Sequence, residues 1–241
     1  MNVFIVHAHP EPQSFNGALT RHAQKVLSAE GHQVVVSDLY AMGWDPVSDR
    51  RNFVSRKDPT YFKQQLEELH AGESGGFVPE IKAELEKLLR CDVLIFQFPL
   101  WWFSLPAVLK GWVDRVFAMG TIYGGGRWFD AGVLRGKRAL LSLTTGGDEP
   151  IYSETGLLGS LDQMLLPIQY GILRFTGFDV LPPFVAFSAS HVGDEVRAGY
   201  LEQYGRRLVS LGSTEPLRFT PLSDYDPKTF TRLAAARPSR D

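Results

Sequence analysis

Five short runs along the chain are close to continuously apolar: Val3–Val6, Val34–Val36, Val93–Phe98, Ala139–Leu143 and Val180–Val185. Between most of them, apolar residues return at the helical spacing of about 3.6. Ala18, Val26 and Leu27 mark the first such segment, and Ile81, Leu85, Leu88 and Leu89 the next. Val108, Leu109, Trp112, Val116 and Phe117 form a third, Leu161, Met164, Leu165 and Ile168 a fourth, and Tyr200, Tyr204, Leu208 and Val209 a fifth. Strands apolar on both faces, alternating with helices, predict an α/β chain whose parallel sheet is covered on both sides.

Five such strands suggest the flavodoxin-like order, a doubly wound five-stranded parallel sheet with helices on both faces. Ligands of that architecture bind outside the carboxyl ends of the strands, at the topological switch point. Two stretches break the pattern. Residues 41–78 hold no strand-like run and are rich in charge and glycine, an excursion of a length usually either functional or unordered. Residues 211–241 are poor in apolar side chains and end in RPSRD, which predicts a loosely held tail. The expected division is one domain over residues 1–215, containing the excursion, and a C-terminal tail over 216–241. No internal repeat interrupts it.

Composition narrows the function classes. A hydrophobic share of 44% against 22% charged is the balance of a chain that buries a core. The net charge of −2 gives no global field towards nucleic acid or anionic lipid. No apolar stretch approaches the roughly 18–20 residues of a membrane span. The opening MNVFIVHAHP has no basic flank and only a short apolar run, so it reads as a first strand rather than a secretory signal. A lone cysteine, Cys91, has no intrachain disulfide partner, which fits a reducing compartment. A cytoplasmic protein is the expectation.

The candidate chemistry lies in the loops after the strands. The first strand runs into HAHPEPQSFNGAL. Ser14 suits an N-cap for a helix starting near Phe15, and a helix N-terminus after a central strand favours phosphate through its free N–H groups and dipole. Gln13, Asn16 and His9 add possible donors, although taken alone this stretch fits an ordinary capped turn better. The fourth strand leads to LTTGGDEPIYSETG. There Gly146 and Gly147 can bring bare backbone close to a flat ligand, with Thr144 and Thr145 hydroxyls and the Tyr152 phenol nearby; a turn that needs glycine geometry is the alternative.

The third strand ends in FPLWWFSLP, placing Trp101, Trp102 and Phe103 in succession where the chain should turn. Three consecutive aromatics cannot all point inward, so part of that surface faces a cleft, a partner chain or a planar ligand. Together with a phosphate-suited first loop and a Gly-Gly loop, this points to an isoalloxazine ring with a phosphate tail and to flavin redox chemistry. Other routes lack their motifs. No G-x-G-x-x-G follows the first strand, and AGVLRGKR has Arg138 where a Walker loop needs Ser or Thr. There is no C-x-x-C, H-E-x-x-H or G-x-S-x-G; His7 and His9, two apart, form only a weak metal pair.

Eight segments then stand in one order and spacing: SFN at 14–16, SDLYAM at 37–42, RKDP at 56–59, FQFPLWWF at 96–103, LKGWVDRVF at 109–117, TTGG at 144–147, Tyr152, and PIQYGIL at 167–173. On these the sequence resembles the NAD(P)H:quinone oxidoreductases of the DT-diaphorase type, from residue 1 to about residue 222. The resemblance implies a homodimer that holds FAD, with FMN the less favoured flavin, and active sites at the dimer interface. Hydride passes from NADH or NADPH to flavin and then, by ping-pong exchange, to a quinone or related planar acceptor bound in the same place. Carried over by residue, it implies FAD contacts from His9, Phe15, Asn16, Leu100, Trp101, Trp102, Phe103, Thr144, Thr145, Gly146, Gly147, Tyr152 and Arg197. Trp102 and Phe103 also wall the substrate site, Tyr123 reaches it from the neighbouring subunit, and Trp128 belongs to the same pocket. Tyr152 is the expected catalytic donor at the flavin N1/C2 carbonyl edge, where negative charge grows.

The chain departs from that pattern at four positions. Leu158 stands six residues after Tyr152, where mammalian members carry histidine. Lys63 replaces a glutamine that contacts FAD, Gly125 a second substrate-site tyrosine, and Trp128 a methionine. Two alternatives therefore remain beside the quinone reductase: a regulatory or ancillary flavoprotein with little turnover, and an FMN-dependent nitro- or azoreductase.

Overall fold

The computed structural model describes residues 1–233. Its parallel sheet has the order β2-β1-β3-β4-β5, with a further strand, β6, also on β4. The strands are β1 (Asn2–His7), β2 (Gln33–Asp38), β3 (Val93–Pro99), β4 (Arg138–Thr144), β5 (Asp179–Val180) and β6 (Phe184–Ala186). The helices are α1 (Phe15–Ala29), α2 (Gln64–Ser74), α3 (Pro79–Arg90), α4 (Ala107–Val116), α5 (Leu161–Ile168) and α6 (Asp194–Val209). This is the doubly wound, flavodoxin-like arrangement that the pattern predicts.

Successive strand residues feed two separate cores, because side chains alternate across a strand. Phe4, Val6, Leu94, Phe96, Phe98, Leu141 and Leu143 face the larger one, packed with Leu85, Leu88, Leu109, Trp112 and Leu165 from α3, α4 and α5. Val3, Ile5, Val93, Ile95 and Leu140 face the smaller one, with Leu19, Ala23 and Leu27 of α1 and Tyr204 and Leu208 of α6. Both faces of β1, β3 and β4 are thereby dry, which is why these runs carry almost no polar residue.

The expected single strand Val180–Val185 is instead two. Leu181 still donates to the Ala139 carbonyl at 2.8 Å, but Pro182 and Pro183 follow, and neither has an N–H for the ladder. Pairing resumes only at Phe184, opposite Ser142. Proline leaves a second mark in α5, which contains Pro167 and continues as a wide π-helical segment over Gln169–Arg174; such segments often accompany functional sites.

The excursion over 41–78 is ordered. Buried Arg115 of α4 donates to Asn52 Oδ1 and to the Asp45 carbonyl, both at 2.8 Å, and pairs with Glu80. Glu67, buried on α2, accepts from the Lys57 and Asp58 N–H groups at 2.7 and 3.0 Å. A low-apolar segment is thus organised by buried charge rather than by a core of its own. The tail is packed as well. Leu217 and Phe219 lie against the larger core, and the Leu222 N–H donates to Asp130 Oδ2 at 2.6 Å. The packed body therefore continues past residue 215, where composition alone suggests a boundary; RPSRD lies outside the described residues. Among the described residues no helix is long and apolar enough to cross a membrane.

Candidate active site

The carboxyl ends of β1, β3 and β4 lie side by side, with His7 paired to Gln97 and Pro99 to Thr144. The loops leaving them, together with α1 and α6, enclose a cleft of about 790 Å³. His9, Gln13, Ser14, Phe15 and Asn16 line it from the first loop, Leu100 and Trp101 from the second, Thr144, Thr145 and Gly146 from the third, and Asp194, Arg197, Ala198 and Leu201 from α6.

The first wall is a capped helix start. Ser14 Oγ accepts from the Gly17 N–H at 3.1 Å, leaving the Phe15 and Asn16 N–H groups without helical partners. His9 Nδ1 turns back on the loop, 3.0 Å from the Glu11 nitrogen and 3.2 Å from the Glu11 carbonyl oxygen. Gly17 is required by close approach: a Cβ there would collide with the Pro12 carbonyl. Arg197 is held by the Ala189 carbonyl at 3.2 Å and by Asp194 at 2.7 Å, which presents a fixed cation opposite the helix start.

Beneath the cleft runs a buried polar brace. Gln97 Nε2 donates to Asn16 Oδ1, and Asn16 Nδ2 donates to Thr144 Oγ1, each at 2.9 Å. The Asn16 carboxamide, expected as a ligand contact, therefore ties α1 to β3 and β4 and reaches the cleft through its backbone. Thr144 Oγ1 is an acceptor in this chain, so its own O–H is left to donate. Thr145 differs, because its hydroxyl donates to the Gly147 carbonyl at 2.8 Å.

The two glycines also divide their work. A Cβ on Gly146 would meet nothing within 4 Å, so the backbone here is open on the side that lines the cleft. A Cβ on Gly147 would strike Ile151 Cδ1 and approach Tyr152 Cε2 at 3.5 Å; this glycine seats the short 3₁₀ turn Glu149–Tyr152. Tyr152 stands on that turn with its ring 6.1 Å from Phe187, outside the lining of the cleft. Leu158 is brought beside it, its N–H donating to the Ile151 carbonyl at 3.0 Å.

The aromatic triplet forms a tight turn, closed by Ser104 N–H to the Trp101 carbonyl at 3.0 Å. Trp102 and Phe103 both adopt left-handed backbone, with φ of 49° and 59°, which costs roughly 1–2 kcal/mol per non-glycine residue. Trp101 lines the cleft with its ring 6.0 Å from that of His9. Trp102 is 93% exposed and Phe103 47%, so the expected shelf projects at the rim instead of forming the wall of the cleft.

Tyr123 and Trp128 are placed elsewhere. They flank Phe175, Tyr123 at 5.8 Å and tilted, Trp128 at 6.5 Å and stacked. Beside them opens a second cleft of about 400 Å³, lined by Trp128, Phe129, Tyr170, Phe175, Leu222, Tyr225 and Phe230. None of these residues touches the first cleft within the chain. Sequence reasoning missed the α6 wall except for Arg197, although Asp194, Arg197, Ala198 and Leu201 stand at i, i+3, i+4 and i+7, the spacing of one helix face. It also missed the π-segment aromatics, whose proximity no local spacing announces. Among the described residues no cluster of three or more His, Cys, Asp or Glu is arranged to hold a metal.

A parallel sheet with a phosphate-suited helix start, an open glycine edge and a fixed arginine at the strand ends defines a flavodoxin-like protein with a cleft suited to a phosphate-bearing cofactor. Comparison with known proteins sharpens the class. A family model described as a flavodoxin-like fold matches residues 1–208. The chain is 41% identical to mouse ribosyldihydronicotinamide dehydrogenase [quinone] over 91% of its length and 95% of that protein. It is 42% identical to rat NAD(P)H dehydrogenase [quinone] 1, over 92% of its length and 81% of the relative. A candidate quinone reductase of Klebsiella pneumoniae superposes with a TM-score of 0.93 at 40% identity, covering 96% of this chain and 93% of that one. The chain belongs to the NAD(P)H:quinone oxidoreductase family of the DT-diaphorase type, and it is an enzyme of that class.

Proposed function

We propose that this protein reduces quinones with NADH or NADPH through a bound FAD, by ping-pong exchange at one shared site, as a cytoplasmic homodimer. The observation that carries the reading is the cleft itself: free helix N–H groups and Arg197 suit a phosphate at one end, and Gly146 leaves an open edge at the other. The lining continues from α1 onto Ala198 and Leu201 of α6, which supports a ligand extending beyond its first phosphate and favours FAD over FMN. Bound there, the flavin supplies hydride acceptance from the nicotinamide and hydride donation to the quinone. The chain's own groups position and polarise. The Phe15 and Asn16 N–H groups would hold the phosphate, Thr144 O–H would donate at the edge of the ring, and Tyr152, on the turn next to the cleft, would be the donor where negative charge develops.

The homodimer is supported by what one chain leaves unfinished. Trp102 and Phe103 hold a strained, exposed rim, and the acceptor-side aromatics Tyr123 and Trp128 lie away from the first cleft. A second copy bringing its aromatic cleft over the rim would cover both. The cytoplasmic placement rests on the single, buried Cys91.

Purified protein supplied with FAD or FMN, then NADH and menadione, tests the reading. Yellow protein with rapid turnover and parallel double-reciprocal lines is the expected result, and the mass of the released flavin separates FAD from FMN. Colourless protein that takes up neither flavin sinks the proposal. A yellow but sluggish protein favours the ancillary binding role, for which the apolar Leu158 beside Tyr152 is the structural argument.

A further inference from the structure

The residues after α4 form a turn closed by the Gly120 N–H donating to the Tyr123 carbonyl at 2.7 Å and by Arg127 donating to the Gly120 carbonyl at 2.6 Å. Gly124, Gly125 and Gly126 are all left-handed, with φ of 105°, 62° and 84°, and side chains added at Gly125 or Gly126 would meet nothing within 4 Å. Tyr123 immediately precedes them. Its backbone is held by the turn and its ring packs on Phe175, while the phenol tip is met from α2, in the excursion over 41–78. Glu68, buried on α2, accepts from the Met119 N–H at 2.7 Å. Gly72 of α2 lets Thr121 approach so closely that a Cβ would lie 2.9 Å from its Oγ1. Gln65, one helical turn before Glu68, donates from Nε2 to Tyr123 Oη at 3.2 Å.

The direction of that last hydrogen bond matters chemically. A phenol oxygen that accepts from an amide keeps its own O–H proton free to donate onward. Burial, and to a lesser degree the Glu68 charge, raises the Tyr123 phenol against the lowering effect of Gln65, so the proton stays in place at neutral pH. We propose that Gln65 is a positioning residue for the acceptor: its amide aims Tyr123 so that the phenol O–H points towards a carbonyl oxygen of the bound quinone. This deepens the quinone-reductase reading and rests on it. It also gives the excursion a purpose, since α2 braces an acceptor-facing turn from behind.

The test uses the flavin-loaded protein and the variants Gln65→Glu, Gln65→Leu and Tyr123→Phe. A carboxylate at 65 accepts where the amide donated, so it draws the Tyr123 proton backwards. Ferricyanide, which has no carbonyl to be hydrogen-bonded, reports flavin turnover without that contact. For Gln65→Glu the ratio of kcat/KM for menadione to that for ferricyanide should fall by about 3- to 10-fold, the worth of one hydrogen bond. Gln65→Leu should fall less, and Gln65→Glu in a Tyr123→Phe background should add nothing. An unchanged ratio, or the same fall without the Tyr123 hydroxyl, overturns the proposal. Ultraviolet titration of the tyrosines supplies a readout independent of turnover: the phenol absent from Tyr123→Phe should ionise at higher pH in Gln65→Glu. A wild type that reduces neither acceptor would overturn the functional reading, whereas a titration unmoved by Gln65→Glu would overturn the Gln65 contact itself.

Discussion

The two clefts of this molecule are built by opposite means. The first is made from the ends of three buried parallel strands and two helix starts, and polar groups of fixed direction line it: capped N–H groups, a pinned guanidinium, the Thr144 hydroxyl. The second is made from a π-helical segment, the short turn at Trp128 and Phe129 and a returning tail, and its walls are almost entirely aromatic. Strand ends hold atoms to the precision of a hydrogen-bonded ladder, which suits a cofactor recognised atom by atom. Loops and tails carry stacked rings that tolerate shape changes, which suits planar acceptors of varied outline. On the proposed function this is a division of labour, in which the rigid half would hold the flavin and the adaptable half would select what it reduces.

The largest effect should come from breaking the rigid half. In Gly17→Ala the new methyl meets the Pro12 carbonyl, which also accepts from Arg21 Nη1 at 2.6 Å. Overpacking of this kind costs about 1–3 kcal/mol, so FAD should bind the apo-protein roughly 10- to 100-fold more weakly in a fluorescence titration. Undiminished affinity would remove the first loop from flavin binding. Next comes Tyr152→Phe, expected to slow flavin reduction by NADH about 10-fold or more in stopped flow, because Leu158 offers no second donor. Wild-type kinetics would take the Tyr152 hydroxyl out of the reaction.

On the adaptable side the change should be milder and of another kind. Phe175→Ala removes the ring between Tyr123 and Trp128, and an aromatic contact worth about 0.5–1.5 kcal/mol should raise the KM for menadione roughly 3- to 10-fold. Flavin content by absorbance should hold; a protein stripped of flavin by this change would erase the contrast between the clefts.

The smallest effect is on stability and pH. Burial lowers the pKa of His7 from 6.5, with Thr20 Oγ1 2.8 Å from its Nδ1, and burial with the Lys25 charge lowers that of His22. A base depressed in the folded state binds protons more readily when unfolded, so its contribution is complete above about pH 6.5 and declines as pH falls towards the folded value. Tm should therefore drop by a few degrees between about pH 7.5 and 5.5. His7→Gln should flatten that slope, and an equally steep slope in the variant would acquit His7.

Much of this was legible beforehand because period and motif are local. The runs at Val3–Val6 and Val93–Phe98 could only be strands dry on both faces, and the Ser14 cap follows from one side chain and the N–H three residues on. The split of Val180–Val185 is equally written in Pro182 and Pro183, which lack the N–H groups that a continuous strand needs. The roles of Asn16 and Thr145 were not legible. Whether a carboxamide faces a ligand or a neighbouring strand depends on Gln97, 81 residues away, and no local pattern reports that.

The sequence by itself determined the alternation of strands and helices, the loops that gather at the strand ends and the family they spell, since each follows from spacing along one chain. Only the tertiary structure decided which of those loop residues brace and which remain free, that Trp102 and Phe103 stand exposed at the rim, and that Tyr123 leans on Gln65 of a distant helix. Those outcomes turn on hydrogen-bond partners and ring contacts brought together from far along the chain, and such partners are chosen by packing.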